Sequence, residues 1–335
     1  MSKVDYKSFI EDNFTITTTE GVLVPFIFND IQAYYYGLLR EDYGDELTGI
    51  RENILKSRRF GFSSIIDAMF VVDFILSELG AIPFTNSDVY SYKDKDTQVL
   101  FTRVNQFLDS WLLKDQGGDY TNLDHHKEIP RLRKEFLRSD VTGSVIVGKK
   151  GAEYHCLTAG AKVSGRGGTK QNIHWSEVAF YNNTEILDAE KLVTGAEEQV
   201  STGVGKIFRE TTGNVSEDFF AREYQEGVDG VSDFRSRFLA WYLFSAYSKP
   251  APRKWEAPEY YDPIIQKEGV SLDQCYWHYE KTRGLTSKLR MREYPSTDTE
   301  AFLLGGDPYF SEDSLLHYMN GISKPIKEVE YVTAL

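Results

Sequence analysis

From Ile65 to Leu79 the chain is apolar on nearly every side of a helical wheel, interrupted only by Asp67, Asp73, Ser77 and Glu78. Such a pattern predicts a helix buried on most sides, as one pressed on a sheet under a second layer must be. The helix is expected to begin near Ser63. Before it come a short apolar strand, Asn53-Ile54-Leu55, and a tight basic loop, Lys56-Ser57-Arg58-Arg59-Phe60-Gly61. After it, Asp88 to Tyr92 reads as a second strand. Asp96 to Leu113 then reads as an amphipathic helix, with Val99, Leu100, Val104, Phe107, Leu108 and Trp111 at helical spacing. Strand, helix, strand, helix is the order that builds an α/β fold with a mostly parallel sheet.

The remaining patterns are shorter. Residues 1–50 read as short helical pieces anchored by Phe26, Phe28 and the run Tyr34-Tyr35-Tyr36, and 115–128 as a polar surface loop. Residues 144–148 and 152–158 form a hairpin-like pair around Lys149-Lys150-Gly151. A glycine-rich loop over 159–170 centres on Arg166. Gln171 to Phe180 predicts a strand that delivers an acid, Glu177, at its tip, and 205–214 another strand tipped by polar residues. A helix follows from about Ser216 to Tyr224, and Phe234 to Tyr247 is apolar and aromatic enough for core or for a surface between elements. Past Lys249-Pro250-Ala251-Pro252 the texture changes, with a helix expected from about Leu272 to Arg290. The chain therefore divides into 1–50, a core over 51–250, and an accessory or linking region over 251–335.

With 335 residues the chain can bury a full core, and 41% hydrophobic and 14% aromatic content describe an ordinary globular protein. The net charge of −13, from 51 acidic and 38 basic residues, excludes a wholesale attraction to nucleic acid. Any nucleic-acid grip must come from a local basic groove. Arg58 and Arg59 are candidates, and so is the run Arg131, Arg133, Lys134, Arg138, which reads more readily as a solvated helix face. Cys156 and Cys275 lie far apart without metal-type partners, so neither a disulfide framework nor structural zinc is expected, and a reducing cytoplasm fits. Met1 to Phe14 has no leader pattern, and Ile65 to Leu79 is too short and too polar to cross a bilayer.

The basic loop carries the chemistry. A loop that feeds a helix N-terminus aims several backbone N–H groups at one point, where the helix dipole adds about half a positive charge. Gly61 permits close backbone approach, Lys56, Arg58 and Arg59 supply full charges, and Ser63 offers a hydroxyl suited to Mg²⁺. Taken alone, a basic turn before a helix reads more readily as a solvated loop than as a phosphate site. Glu177 gives the second part that nucleotide hydrolysis requires, a carboxylate at a neighbouring strand tip that orients water.

Set side by side, these residues resemble the ATPase domain of phage terminase large subunits, the DNA-packaging motors. The usual G-x-x-x-x-G-K-[ST] is absent, and Lys56-Ser57-Arg58-Arg59-Phe60-Gly61-Phe62-Ser63 is similar instead to the variant K-x-x-R-x-G-[FY]-S, with the lysine at the front of the loop. Phe28 and Gln32 resemble an F-x-x-x-Q adenine motif, and Ile173 to Phe180 resembles Walker B with Ser176 in place of the usual aspartate. Glu210-Thr211-Thr212-Gly213-Asn214 resembles the coupling motif, and Glu293-Tyr294-Pro295 with Glu300-Ala301-Phe302 the stretch that closes the ATPase half. The resemblance covers about residues 24 to 312.

The resemblance implies a P-loop NTPase of the RecA-like class, a three-layer sandwich with a small accessory subdomain, binding ATP and Mg²⁺. It implies that Lys56 with Ser57, Arg58, Arg59, Gly61 and Ser64 holds phosphates, that Ser63 ligates Mg²⁺ with Ser176 at most behind it, and that Glu177 is the catalytic acid. Thr211 and Thr212 sense the γ-phosphate, Phe28 and Gln32 flank the adenine, and Arg166 is the arginine finger, with Arg58 or Arg59 as the rival. Double-stranded DNA, a portal protein, a small terminase subunit and a homo-oligomeric ring are the implied partners, with no membrane. The host cytoplasm is the implied place, without retention in the virion. A nuclease domain is not expected in this chain. A helicase-like translocase and a decayed structural or DNA-binding module stay open as alternatives.

Overall fold

The computed structural model describes residues 4–138, 144–159, 168–181, 188–214 and 218–302. Its frame is a seven-stranded sheet. The strands are β3 (Arg51–Lys56), β4 (Asn86–Ser91), β5 (Val145–Val147), β6 (Glu153–Thr158), β7 (Asn172–Ser176), β8 (Lys206–Thr211) and β9 (Arg235–Leu239). Their order across the sheet is β5-β6-β4-β7-β8-β3-β9. Every pairing is parallel except β5 with β6, the hairpin expected around Lys149 and Gly151. Strands β3 and β7, which end in Lys56 and Ser176, are not neighbours. β8 lies between them.

Register-matched residues of parallel strands project to one face, and this decides which side chains meet. Ser176 pairs with Glu210, and Glu210 with Ile54. One face therefore carries Ile54, Lys56, Phe208, Glu210, His174 and Ser176. The other carries Leu55, Ile173, Trp175 and Ile207. The first face packs under α3 (Phe62–Leu79) and α4 (Asp94–Asp115), joined by α1 (Tyr6–Asn13), in one large apolar cluster. The second packs under α6 (Ala189–Glu197) and α7 (Phe219–Val228) in another. These are the three layers expected. Helix α3 is buried from Ser64 to Glu78 and ends on left-handed Gly80, as its all-round apolar pattern predicts.

Several local expectations are corrected. Residues 1–50 hold more than helical pieces, because β1 (Thr15–Thr17) and β2 (Leu23–Pro25) pair antiparallel between α1 and α2 (Asp30–Tyr43). The apolar stretch from Phe234 contains the edge strand β9, half-masked in sequence by Arg235 and Arg237. The latter side chain is drawn in to Glu52 (2.6 Å). The single helix expected from Leu272 is two, α9 (Leu272–Thr282) and α10 (Ser287–Glu293). Gly284 lies between them, and Thr286 caps the second by accepting from the Leu289 N–H. Arg131, Arg133 and Lys134 of the basic run lie on α5 (Ile129–Phe136), with Arg138 past its end; Arg131 pairs with Glu128 and Glu135 and Arg133 with Asp109, which supports the solvated-face reading.

A third cluster, made by Trp241, Tyr261, Ile264, Val270, Cys275 and Tyr294, gathers α8 (Asp262–Glu268), α9 and α10. It touches the basic loop directly. The Arg58 N–H donates to the Glu293 carbonyl (2.9 Å), and the Tyr247 hydroxyl donates to the Arg58 carbonyl (2.6 Å). Then α11 (Asp298–Phe302) lies against Gly213, where a Cβ would come within 2.3 Å of the Ala301 carbonyl oxygen. Only glycine fits beneath that backbone. No described helix is long and apolar enough to cross a membrane.

Candidate nucleotide site

The basic loop turns on two left-handed residues, Arg59 (φ 61°) and Gly61 (φ 76°). At Gly61 a side chain is barred twice over, by the backbone angle and by the Gln32 amide nitrogen, which would stand 2.6 Å from a Cβ. Gln32 donates from Nε2 to the Gly61 carbonyl (2.9 Å), while its Oε1 accepts from the Asn29 N–H as part of the capping box of α2. Asn29 donates to the Phe60 carbonyl (3.3 Å). The loop is thus shaped from behind by α2. Helix α3 starts at Phe62 with no side-chain cap, so the positive end of its dipole faces the loop.

Lys56, at the end of β3, is buried and held between two acids. Its Nζ lies 3.1 Å from Glu177 Oε1 and 2.9 Å from Glu210 Oε2. Burial alone would pull the ammonium pKa down. The two carboxylates outweigh it and hold the group above its usual range. Glu177 sits just past β7 in a left-handed conformation (φ 56°), costly for a residue with a Cβ. Its Oε2 accepts from the Thr212 N–H (3.0 Å), the Thr212 hydroxyl (3.2 Å) and the Thr211 hydroxyl (3.4 Å). The side chain is 38% exposed, because the turn after β7 carries it out of the sheet to the rim where water reaches.

Glu210 is the residue that motif reading did not place in the site. It is fully buried on β8, and its Oε1 accepts from Ser63 Oγ (2.5 Å) and Ser176 Oγ (3.0 Å). Behind it, His174 Nε2 stands 3.5 Å from Glu210 Oε1, and His174 Nδ1 lies 2.9 Å from Asp67, itself 3.4 Å from Arg103. Burial would push Glu210 up, but Lys56 and the His174 cation hold it well below the usual carboxylate range. Burial would likewise depress His174, yet the Asp67 and Glu210 carboxylates raise it to about 9. The sequence signal was period-two alternation, which puts His174 with Ser176 and Phe208 with Glu210 on the α3 face.

Lys56, Ser63, Ser176, Glu177, Thr211 and Thr212 therefore converge as a group, and Gly61 lies beside them. Ser57 is buried with a hydroxyl that has no hydrogen-bond partner, and Ser64 is buried on the first turn of α3. Arg58 points to Glu293 (2.6 Å), and Arg59 is exposed. Phe28 packs in the aromatic core against Phe26 and Tyr36 at ring distances of 5.7 and 5.8 Å. Arg166 lies outside the described residues. The donor set fits a hard cation through hydroxyl and carboxylate oxygen, and no described group of three or more His, Cys, Asp or Glu residues forms a cage. Hydroxyl and carboxylate oxygens are the donor types that Mg²⁺ takes.

No protein-family model matches the chain, and no curated protein matches it. Among solved structures, the HK97 bacteriophage large terminase is similar with a TM-score of 0.51 at 13% identity, covering 87% of this chain and 54% of that one. The large terminase ATPase domain of Thermus phage P74-26 gives 0.42 at 15% identity, over 76% of this chain and 91% of that one. A large terminase from a thermophilic bacteriophage, solved in complex with ADP, gives 0.38 at 10% identity, over 74% of this chain and 48% of that one. The likeness is one of fold: the chain shares a mixed α/β fold with the HK97 large terminase. It spans about half the length of that protein, 54%.

Proposed function

We propose that this chain is the ATP-hydrolysing motor domain of a viral large terminase, which drives double-stranded DNA into a procapsid. The observation that carries the reading is Lys56, buried at the end of a parallel strand, clasped by acids from two neighbouring strands and set before an uncapped helix N-terminus. A buried cation whose partners exceed it in charge is poised to exchange a carboxylate for a phosphate oxygen.

In this reading the loop 56–61 and the first turn of α3 bind the β- and γ-phosphates of ATP. Mg²⁺, which Ser63 would hold with Ser176 behind it, would supply charge neutralisation when bound. Glu177, fixed by Thr212 and open to solvent, orients the attacking water and takes its proton. The new bond forms between water oxygen and the γ-phosphorus, the bond to the bridging oxygen breaks, and ADP and inorganic phosphate leave. Thr211 and Thr212 bond the same Glu177 oxygen, so a change at the γ-phosphate reaches β8 through them. Gln32 and Phe28 border the adenine side, where Gln32 acts first by shaping Gly61. Arg166 completes a neighbour's site in a homo-oligomeric ring on the portal, with the small subunit as further partner, in the host cytoplasm.

Steady-state ATP hydrolysis measured against protein concentration tests this for the wild type, Glu177→Ala and Arg166→Ala. Activity rising more than linearly and lost in both variants supports a ring motor, since a trans arginine finger is worth about 10³ or more in rate. A wild type that neither hydrolyses nor binds nucleotide would leave a structural module.

A further inference from the structure

Strand β7 ends in Ser176, a hydroxyl, with Glu177 just past it. The neighbouring strand supplies an acid at the same point. Ser176 and Glu210 are register partners on parallel strands, so both rise on the face beneath α3. Glu210 Oε1 receives hydrogen bonds from Ser63 on α3 (2.5 Å) and from Ser176 on β7 (3.0 Å). Three elements thus bring three oxygen groups together, with the carboxylate in the middle. A glutamate kept only to hold the core together would have both oxygens paired. Here Oε2 has no well-aligned hydrogen bond, only the Lys56 charge at 2.9 Å.

We propose that Glu210 is the metal-holding carboxylate of the nucleotide site, moved by one strand from the position that Ser176 occupies. This rests on the ATPase reading above. Ser63 and Ser176 flank the ion, and Glu177 is left free for water. His174, braced by Asp67 and Arg103, is a positioning residue that stands behind the carboxylate. The division of labour follows from exposure. Glu210 is sealed from solvent, as suits a fixed ligand, while Glu177 is open to it.

The test is Mn²⁺ binding, read by electron paramagnetic resonance of the full chain saturated with ADP, with ADP affinity in EDTA measured in parallel. Glu210→Gln is expected to weaken Mn²⁺ by at least about tenfold while ADP binding in EDTA persists. Adding Ser176→Asp to Glu210→Gln returns the carboxylate to β7 and is expected to recover most of that loss. Should Glu210→Gln fail to fold, Glu210→Asp, which withdraws the carboxylate by one methylene, is expected to weaken Mn²⁺ severalfold. Undiminished Mn²⁺ binding in the folded Glu210 variant, with ADP bound, would overturn the assignment and leave Glu210 as a partner of Lys56 alone. A wild type that does not bind ADP at all would instead remove the nucleotide reading beneath it.

Discussion

Two buried lysine–carboxylate clusters lie under α3 on the same face of the sheet, one at each end of the strands. At the back, Lys206 donates to Asp73 (2.5 Å) and to the Tyr6 hydroxyl (2.8 Å), Tyr6 donates to Asp73 (2.5 Å), and Asn172 donates to Asp73 (2.9 Å). Charges balance and both Asp73 oxygens are paired. At the front, Lys56 faces Glu177 and Glu210, and His174, Glu210 and Ser57 keep buried atoms without a hydrogen-bond partner. Two residues there besides Gly61, Arg59 and Glu177, hold left-handed backbone. The same pair of residue types is thus finished at one end of the sheet and unfinished at the other. A closed network ties α1 to the core, whereas the front one is left open and strained, as the proposed function requires of a binding site.

The sharpest break of this comparison exchanges the two lysines' fates. Lys206→Ala leaves Asp73 buried and uncompensated and is expected to cost about 3–5 kcal/mol in chemical denaturation, with the nucleotide-induced stabilisation of the surviving fold unchanged. Lys56→Ala is expected to abolish that stabilisation, worth about 2.7 kcal/mol at a ligand concentration of 100 times Kd, and to stop hydrolysis. If both variants lost only stability, the front cluster would be as structural as the back. Glu177→Gln comes next. It keeps the shape of the rim and should cut turnover by about 10² to 10⁴, with little change in melting temperature, in a coupled phosphate-release assay.

Part of the front cluster was legible in the sequence, and none of the back one. The loop from Lys56 to Gly61, the buried helix after it and the acid at Glu177 were readable because each depends on neighbours a few residues away. Glu210 and His174 were not, since their meaning depends on β8 lying between β3 and β7, a placement that no local pattern reveals. β9 was obscured because Arg235 and Arg237 make its alternation look polar, while Arg237 in fact turns in to Glu52. The break between α9 and α10 was hidden in a stretch whose helix formers continue on both sides of Gly284.

A gentler probe compares the front with the aromatic cluster behind the loop. His278 is buried there, stacked on Trp241 at 4.4 Å, accepting from the Tyr261 hydroxyl (2.7 Å) at Nδ1 and donating from Nε2 to the Tyr294 carbonyl (3.1 Å). Burial pushes it down to about 3, with Arg290 adding to the effect, so it is neutral in the fold. A depressed folded-state value means the unfolded chain takes up the proton first. Stability is therefore full above about pH 6.5 and falls as the pH drops towards 3, by at most about 1.4 kcal/mol per pH unit. His278→Gln should flatten that slope between pH 6.5 and 5 in urea titrations, whereas an unchanged slope would place the sensitivity elsewhere. The smallest effect is expected of Arg59→Gly, which relieves a left-handed arginine and should raise stability by about 1 kcal/mol. Lower hydrolysis in that same variant would mark Arg59 as a phosphate contact.

Equilibrium binding of a fluorescent ADP analogue in Mg²⁺ to the wild type and Lys56→Ala tests the central claim most directly. The account expects saturable binding by the wild type, weakened by about 100-fold or more in the variant while its far-ultraviolet circular dichroism stays native. Equal affinity in both proteins would contradict it, because a lysine sealed between two acids would then have no part in holding phosphate.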